Sequence, residues 1–93
     1  MYVFSACLYL HLQSRSLKTK RGIVKSILAR ARNSFNVSAA EVDLQALHGE
    51  ALLGFVTVSE NRVLARKTLE ALEEWLVAER QDVEVVSFEI EER

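Results

Sequence analysis

The most constraining feature of this chain is its first segment. From Tyr2 to Leu12, every second residue is apolar: Tyr2, Phe4, Ala6, Leu8, Leu10 and Leu12. Strand side chains repeat every two residues, so these six share one face. The opposite face, Val3, Ser5, Cys7, Tyr9 and His11, is mixed. A strand this long, with one fully apolar face and a second only partly polar, belongs in the middle of a sheet. The polar break Gln13–Ser16 follows, and the period then changes. Leu17, Val24, Ile27, Leu28, Ala31 and Phe35 fall in one arc of roughly 100° at helical spacing. The sequence therefore predicts a helix from Leu17 to Phe35, with Ser16 as its N-cap.

Asn36–Val42 reads as a short strand of small residues. The stretch from Leu44 to Ala51 is irregular, with Gly49 as its turn residue. Leu52–Val58 reads as a strand apolar on both sides: Leu52, Gly54, Val56 and Val58 on one face, Leu53, Phe55 and Thr57 on the other. That too marks a central position. Ser59 is placed to cap a second helix running to Glu79. Val83–Glu91 is a last strand, with Val86, Phe88 and Ile90 inward and Ser87, Glu89 and Glu91 outward.

The order β-α-β-β-α-β predicts an α+β, ferredoxin-like fold. Right-handed crossovers put both helices on one face of a four-stranded antiparallel sheet, with the first and third strands central. At 93 residues, 49% of them apolar, the chain is one domain, residues 1–93. No proline or low-complexity run marks a linker. A single cysteine, Cys7, permits no internal disulfide and is consistent with a reducing, cytoplasmic setting. No apolar stretch approaches the ~18 residues of a membrane helix. The run Tyr2–Leu12 lacks the preceding basic stretch of a signal peptide.

The net charge of −1 conceals an asymmetry. Residues 1–36 hold seven basic residues and no acid, whereas residues 37–93 hold five basic residues and thirteen acids. Lys18, Arg21, Lys25 and Arg32 lie within about 60° on the first helix, beside its apolar arc. Lys20 points into the edge of that arc, where its stem is expected to be buried and its amine wet. Ser14, Arg15, Ser16, Lys18, Lys20 and Arg21 gather at a helix start, where free amides and the helix dipole favour phosphate or carboxylate. Lys25 and Arg32 extend this patch along a phosphate backbone. The alternative is a helix face neutralised by acids from elsewhere in the fold.

A second surface is the sheet face opposite the helices. Val3, Cys7, Tyr9, Leu53 and Phe55 are expected to form an apolar patch there, covered by a second copy in a homodimer. Tyr9 and Phe55 could instead stack RNA bases, but the acids of the last strand oppose that use. Catalysis has little support. Cys7, His11 and His48 show no metal-ligand spacing, and the three glycines form no phosphate loop. No cofactor, metal or enzymatic activity is expected.

The run Arg15-Ser16-Leu17-Lys18-Thr19-Lys20-Arg21, the helix that follows through Arg32, and the segment Phe35-Asn36-Val37-Ser38-Ala39-Ala40-Glu41-Val42 resemble the YlxP-like family of small bacterial proteins. The likeness continues weakly through Ala51–Gly54 to Val58–Ser59. Ala46 departs from it, standing where the family often carries an acid. The resemblance implies a ferredoxin-like fold and a bacterial cytoplasmic protein. It implies no established activity. Because members of the family are often encoded among genes of translation and ribosome maturation, it also points to ribosomal RNA or a ribosomal subunit as a partner.

Overall fold

The computed structural model describes residues 1–93. Strand β1 spans Tyr2–Leu12, helix α1 Leu17–Ser34, β2 Ser38–Asp43, β3 Glu50–Ser59, α2 Arg62–Glu79 and β4 Val83–Glu92. The sheet order is β2-β3-β1-β4, with every neighbouring pair antiparallel. The fold is therefore the expected ferredoxin-like α+β arrangement. The two strands with apolar residues on both faces, β1 and β3, are the central ones. Both helices share one core with the sheet. Val24, Ile27, Leu28 and Ala31 of α1, and Ala65, Leu69, Leu72 and Leu76 of α2, are buried with Phe4, Leu8 and Leu10 of β1. No helix is long and apolar enough to cross a membrane.

Register decides which face each strand residue takes. Ala6 stands opposite Phe55 and Leu8 opposite Leu53. Directly opposed residues of an antiparallel pair point the same way. Leu53 and Phe55 therefore follow Ala6 and Leu8 into the core, and both are 0% exposed. This corrects their expected place on the open face. That face takes Leu52, Gly54, Val56 and Val58 instead, beside Tyr9, Cys7, Ser5 and Val3. Val3, Cys7 and Tyr9 lie on it as expected.

The alternation of β4 is also broken. The register against β1 shifts between Tyr9 and Leu10, so Tyr9 opposes Ser87 while Leu10 opposes Val85. Val86 is the extra residue of this β-bulge. It is 45% exposed, and Val83 and Val85 fill the inward positions that plain alternation assigned to it. Phe88 and Ile90 point inward as expected.

Ser16 caps α1, accepting from the Thr19 amide at 3.1 Å. The cap of α2 is Asn61, not Ser59: Asn61 Oδ1 accepts from the Leu64 amide at 3.1 Å. Ser59 ends β3, and its hydroxyl accepts from the Asn61 amide, shaping the turn that precedes the cap. In the segment between β2 and β3, the left-handed residue is Leu44 (φ 65°), and no glycine has positive φ. Gly49 serves instead through its carbonyl, which accepts from the Leu12 amide at 2.9 Å.

Candidate nucleic-acid interface

Helix α1 carries the basic face because its apolar residues are confined to one arc. Arg15, Lys18, Arg21, Lys25 and Arg32 are all exposed, as that geometry requires. The ion pairs of the molecule are made by Lys20, Arg62, Arg66, Arg80, Arg93 and His11. None reaches Arg15, Lys18, Arg21 or Lys25. No acid from elsewhere in the fold neutralises this face. Arg32 is partly engaged, donating to the Ala39 carbonyl of β2 at 2.6 Å. That contact places the stripe on the β2 side of α1.

Two residues expected in the patch have other work. Lys20 is 1% exposed. Its ammonium donates to the carbonyls of Leu44 and Leu47, each at 2.6 Å, and lies 3.0 Å from Glu41 Oε2. Two hydrogen bonds and a buried ion pair thus hold the ammonium inside the fold, out of reach of an outside anion. The expected wet amine is corrected to a buried one. The cause is the segment after β2, which folds over the helix start and supplies those acceptors. Ser16 is likewise committed: its hydroxyl accepts from the Thr19 amide and donates to Thr19 Oγ1 at 3.0 Å. Its role is the helix cap. The Leu17 and Lys18 amides remain without a protein partner at the helix start.

The approach to α1 is held firmly. His48 Nδ1–H donates to the Ser14 carbonyl at 2.6 Å, and the buried Ser14 hydroxyl donates to the Ser16 carbonyl at 2.8 Å. Lys20, His48 and Ser14 together fasten the β2–β3 segment to the start of the basic helix. The patch sits on preordered backbone, which lowers the entropic cost of binding.

The open sheet face has a different character. Tyr9 donates to Glu50 Oε1, and this hydrogen bond to a carboxylate raises the tyrosine hydroxyl above its ordinary pKa. Its oxygen accepts from His11 Nε2 at 3.0 Å, while His11 Nδ1 lies 3.5 Å from Glu84. With its ring hydroxyl engaged and its core-facing neighbour Phe55 buried, Tyr9 forms no two-aromatic platform for bases. A cleft of about 390 Å³ opens beside it, floored by Cys7 and Gly54.

The molecule is thus a small ferredoxin-like α+β protein, with an unneutralised cationic helix on one side of its sheet and a cleft on the other. Residues 3–90 match the family model described as "Protein of unknown function (DUF503)". The chain belongs to that family. It is similar to the "Uncharacterized protein YlxP" of Bacillus subtilis (strain 168), at 37% identity over 70 residues. The alignment covers 75% of this chain and 76% of the relative.

Proposed function

We propose that this is a non-catalytic, cytoplasmic RNA-binding protein whose α1 face contacts the phosphate backbone, with ribosomal RNA or a ribosomal subunit as the partner. The observation that carries this reading is a cluster on one helix face and at its start: Arg15, Lys18, Arg21 and Lys25 are exposed there and none has an ionic partner. Arg15, just before the helix, and Lys18 and Arg21 in its first turns lie around free helix-start amides, a favourable site for phosphate, and Lys25 extends the face along the helix. The reading excludes base stacking, so binding is salt-sensitive and tolerant of sequence.

The test is a titration of a ribosomal RNA fragment with wild type and with the triple variant Lys18→Glu, Arg21→Glu, Lys25→Glu, at two salt concentrations. All three side chains lie outside the core, so the variant should keep its fold. Wild type should bind at low salt and weaken steeply as salt rises, and the variant should not bind. Equal affinity of the two proteins, or no binding by wild type, would refute the proposal.

A second reading concerns the open face. Val56 and Val58 of β3 and Val42 of β2 are each 44% exposed or more. They flank the cleft, and a small protein rarely leaves such a patch uncovered. We infer a protein-docking surface here, with homodimerisation one form it can take.

A further inference from the structure

We propose that the open-face cleft takes an extended, lysine- or arginine-bearing segment of a protein partner. The proposal rests on the reading of this face as a docking surface and adds the chemistry of the occupant.

The cleft follows from small residues set in register across the sheet. Gly54 of β3 stands opposite Cys7 of β1 and Ala40 of β2, and Val56 stands opposite Ser5 and Ser38. Four small side chains and the bare Gly54, in two adjacent rows, leave a trough over the middle of the sheet. Val42, the extra residue of the β2 bulge, leans over its floor. A Cβ at Gly54 would meet Val42 Cγ1 at 3.1 Å. The trough is therefore narrow and apolar on its β2 side.

Its β4 side is acidic. Glu89 stands opposite Cys7 and Glu91 opposite Ser5, both exposed. Arg93 takes Glu91 at 3.4 Å and donates to Ser5 Oγ, but Glu89 has no ionic partner. Glu84 and Glu50 continue the acidic character toward the far end of the face. An extended chain presents alternate side chains to opposite sides. Laid edge-on in the trough, such a chain would set small residues toward the apolar β2 side and alternate lysines or arginines toward Glu89 and Glu91 on the β4 side. A second copy fits less well. Stacked with its strands reversed across the sheet, it sets Glu89 against the neutral Ser38–Ala40 flank. Stacked the other way, it sets acid against acid. Either arrangement buries a carboxylate without a cation, which is costly.

Cys7, exposed on the floor, reports occupancy through its alkylation rate. The probe is a short dye-labelled peptide of alternating lysine and alanine, with a glutamate–alanine peptide as control. The lysine peptide should bind wild type saturably and slow Cys7 alkylation, and the glutamate peptide should do neither. The variant Glu89→Lys, Glu91→Lys should bind it at least about tenfold more weakly. Gly54→Val, which fills the floor without changing charge, should weaken it comparably. Ser38→Phe fills the cleft from the edge strand and replaces Gly54→Val should that variant fail to fold. No binding, equal binding of both peptides, or loss in the charge variant alone would each overturn the proposal. If Cys7 becomes protected merely by raising the protein concentration, a second copy covers the face; the docking reading then stands and the basic occupant falls. If its alkylation is the same under all conditions, both fall.

Discussion

Replacing Lys20 with methionine removes a buried charge and keeps most of the side-chain volume. It leaves the Leu44 and Leu47 carbonyls without their donor and the Glu41 carboxylate, 18% exposed, without its cation. Breaking a buried ion pair from one side costs about 3–5 kcal/mol. Glu41 retains some contact with water, so about 2–4 kcal/mol is expected. A domain of this length has roughly 5–10 kcal/mol in total. At about 4–8 °C per kcal/mol, the melting temperature should fall by roughly 8–32 °C. The loss should be local as well as global. The Lys20 ammonium holds the segment containing Leu44 in its left-handed conformation, so the Leu47 amide, bonded to the Leu44 carbonyl, should lose exchange protection first. Adding Glu41→Leu to Lys20→Met should recover part of the loss, with a coupling of about 1–3 kcal/mol in a double-mutant cycle. Thermal melts and hydrogen exchange of the four proteins measure both quantities. If Lys20→Met costs less than about 0.5 kcal/mol, or the two changes simply add, Lys20 is an ordinary snorkelling lysine and the reasoning is wrong.

Other expectations follow from single contacts. Asn61→Ala should destabilise by about 1 kcal/mol through loss of the α2 cap, and Ser59→Ala by less, read by urea denaturation. Val85→Ala should cost about 1–2 kcal/mol, whereas Val86→Thr at the bulge should stay within about 0.5 kcal/mol. Hydrogen bonding to Arg80 lowers the Asp82 pKa below its ordinary 3.8, so the stability this pair contributes is fully present above that value. It is lost as pH falls through the lowered value. Arg80→Ala should therefore narrow the gap in melting temperature between neutral and strongly acidic solution.

The fold was legible because period and topology agreed: β1 and β3 read as two-sided strands, and the ferredoxin-like order places them centrally. Faces were less legible than elements. Leu52–Val58 is apolar on both sides, so composition could not say whether Phe55 or Gly54 faced the helices. That depends on register against β1. The bulge at Val86 was hidden for a related reason: the adjacent pair Val85–Val86 satisfies either phase, Val83 and Val85 in one and Val86, Phe88 and Ile90 in the other. Lys20 was half legible. Its angle on α1 lies inside the apolar arc, which signals burial. Its acceptors lie 21 to 27 residues away, in a segment with no periodicity to place it. The unneutralised stripe was visible as the absence of acids before residue 37, but only the tertiary arrangement could say that no later acid reaches it.

The two charged surfaces lie at opposite corners of the molecule. Arg32 ties the basic stripe to β2, at one edge of the sheet, while Glu89 and Glu91 project from β4, at the other edge and on the other face. Three strand intervals of about 4.8 Å make roughly 14 Å across the sheet, and the helix layer lies about 10 Å above it. The direct separation is then roughly 17 Å, about two Debye lengths at physiological salt, where that length is about 8 Å. The acids should therefore neither weaken phosphate binding at α1 nor be masked by it. Glu89→Lys with Glu91→Lys should change RNA affinity by less than about twofold at physiological salt. It should change it more at low salt, where screening weakens. A tenfold gain in RNA affinity at physiological salt would show that the acidic corner lies within reach of the bound RNA, and the independence of the two faces would have to be abandoned.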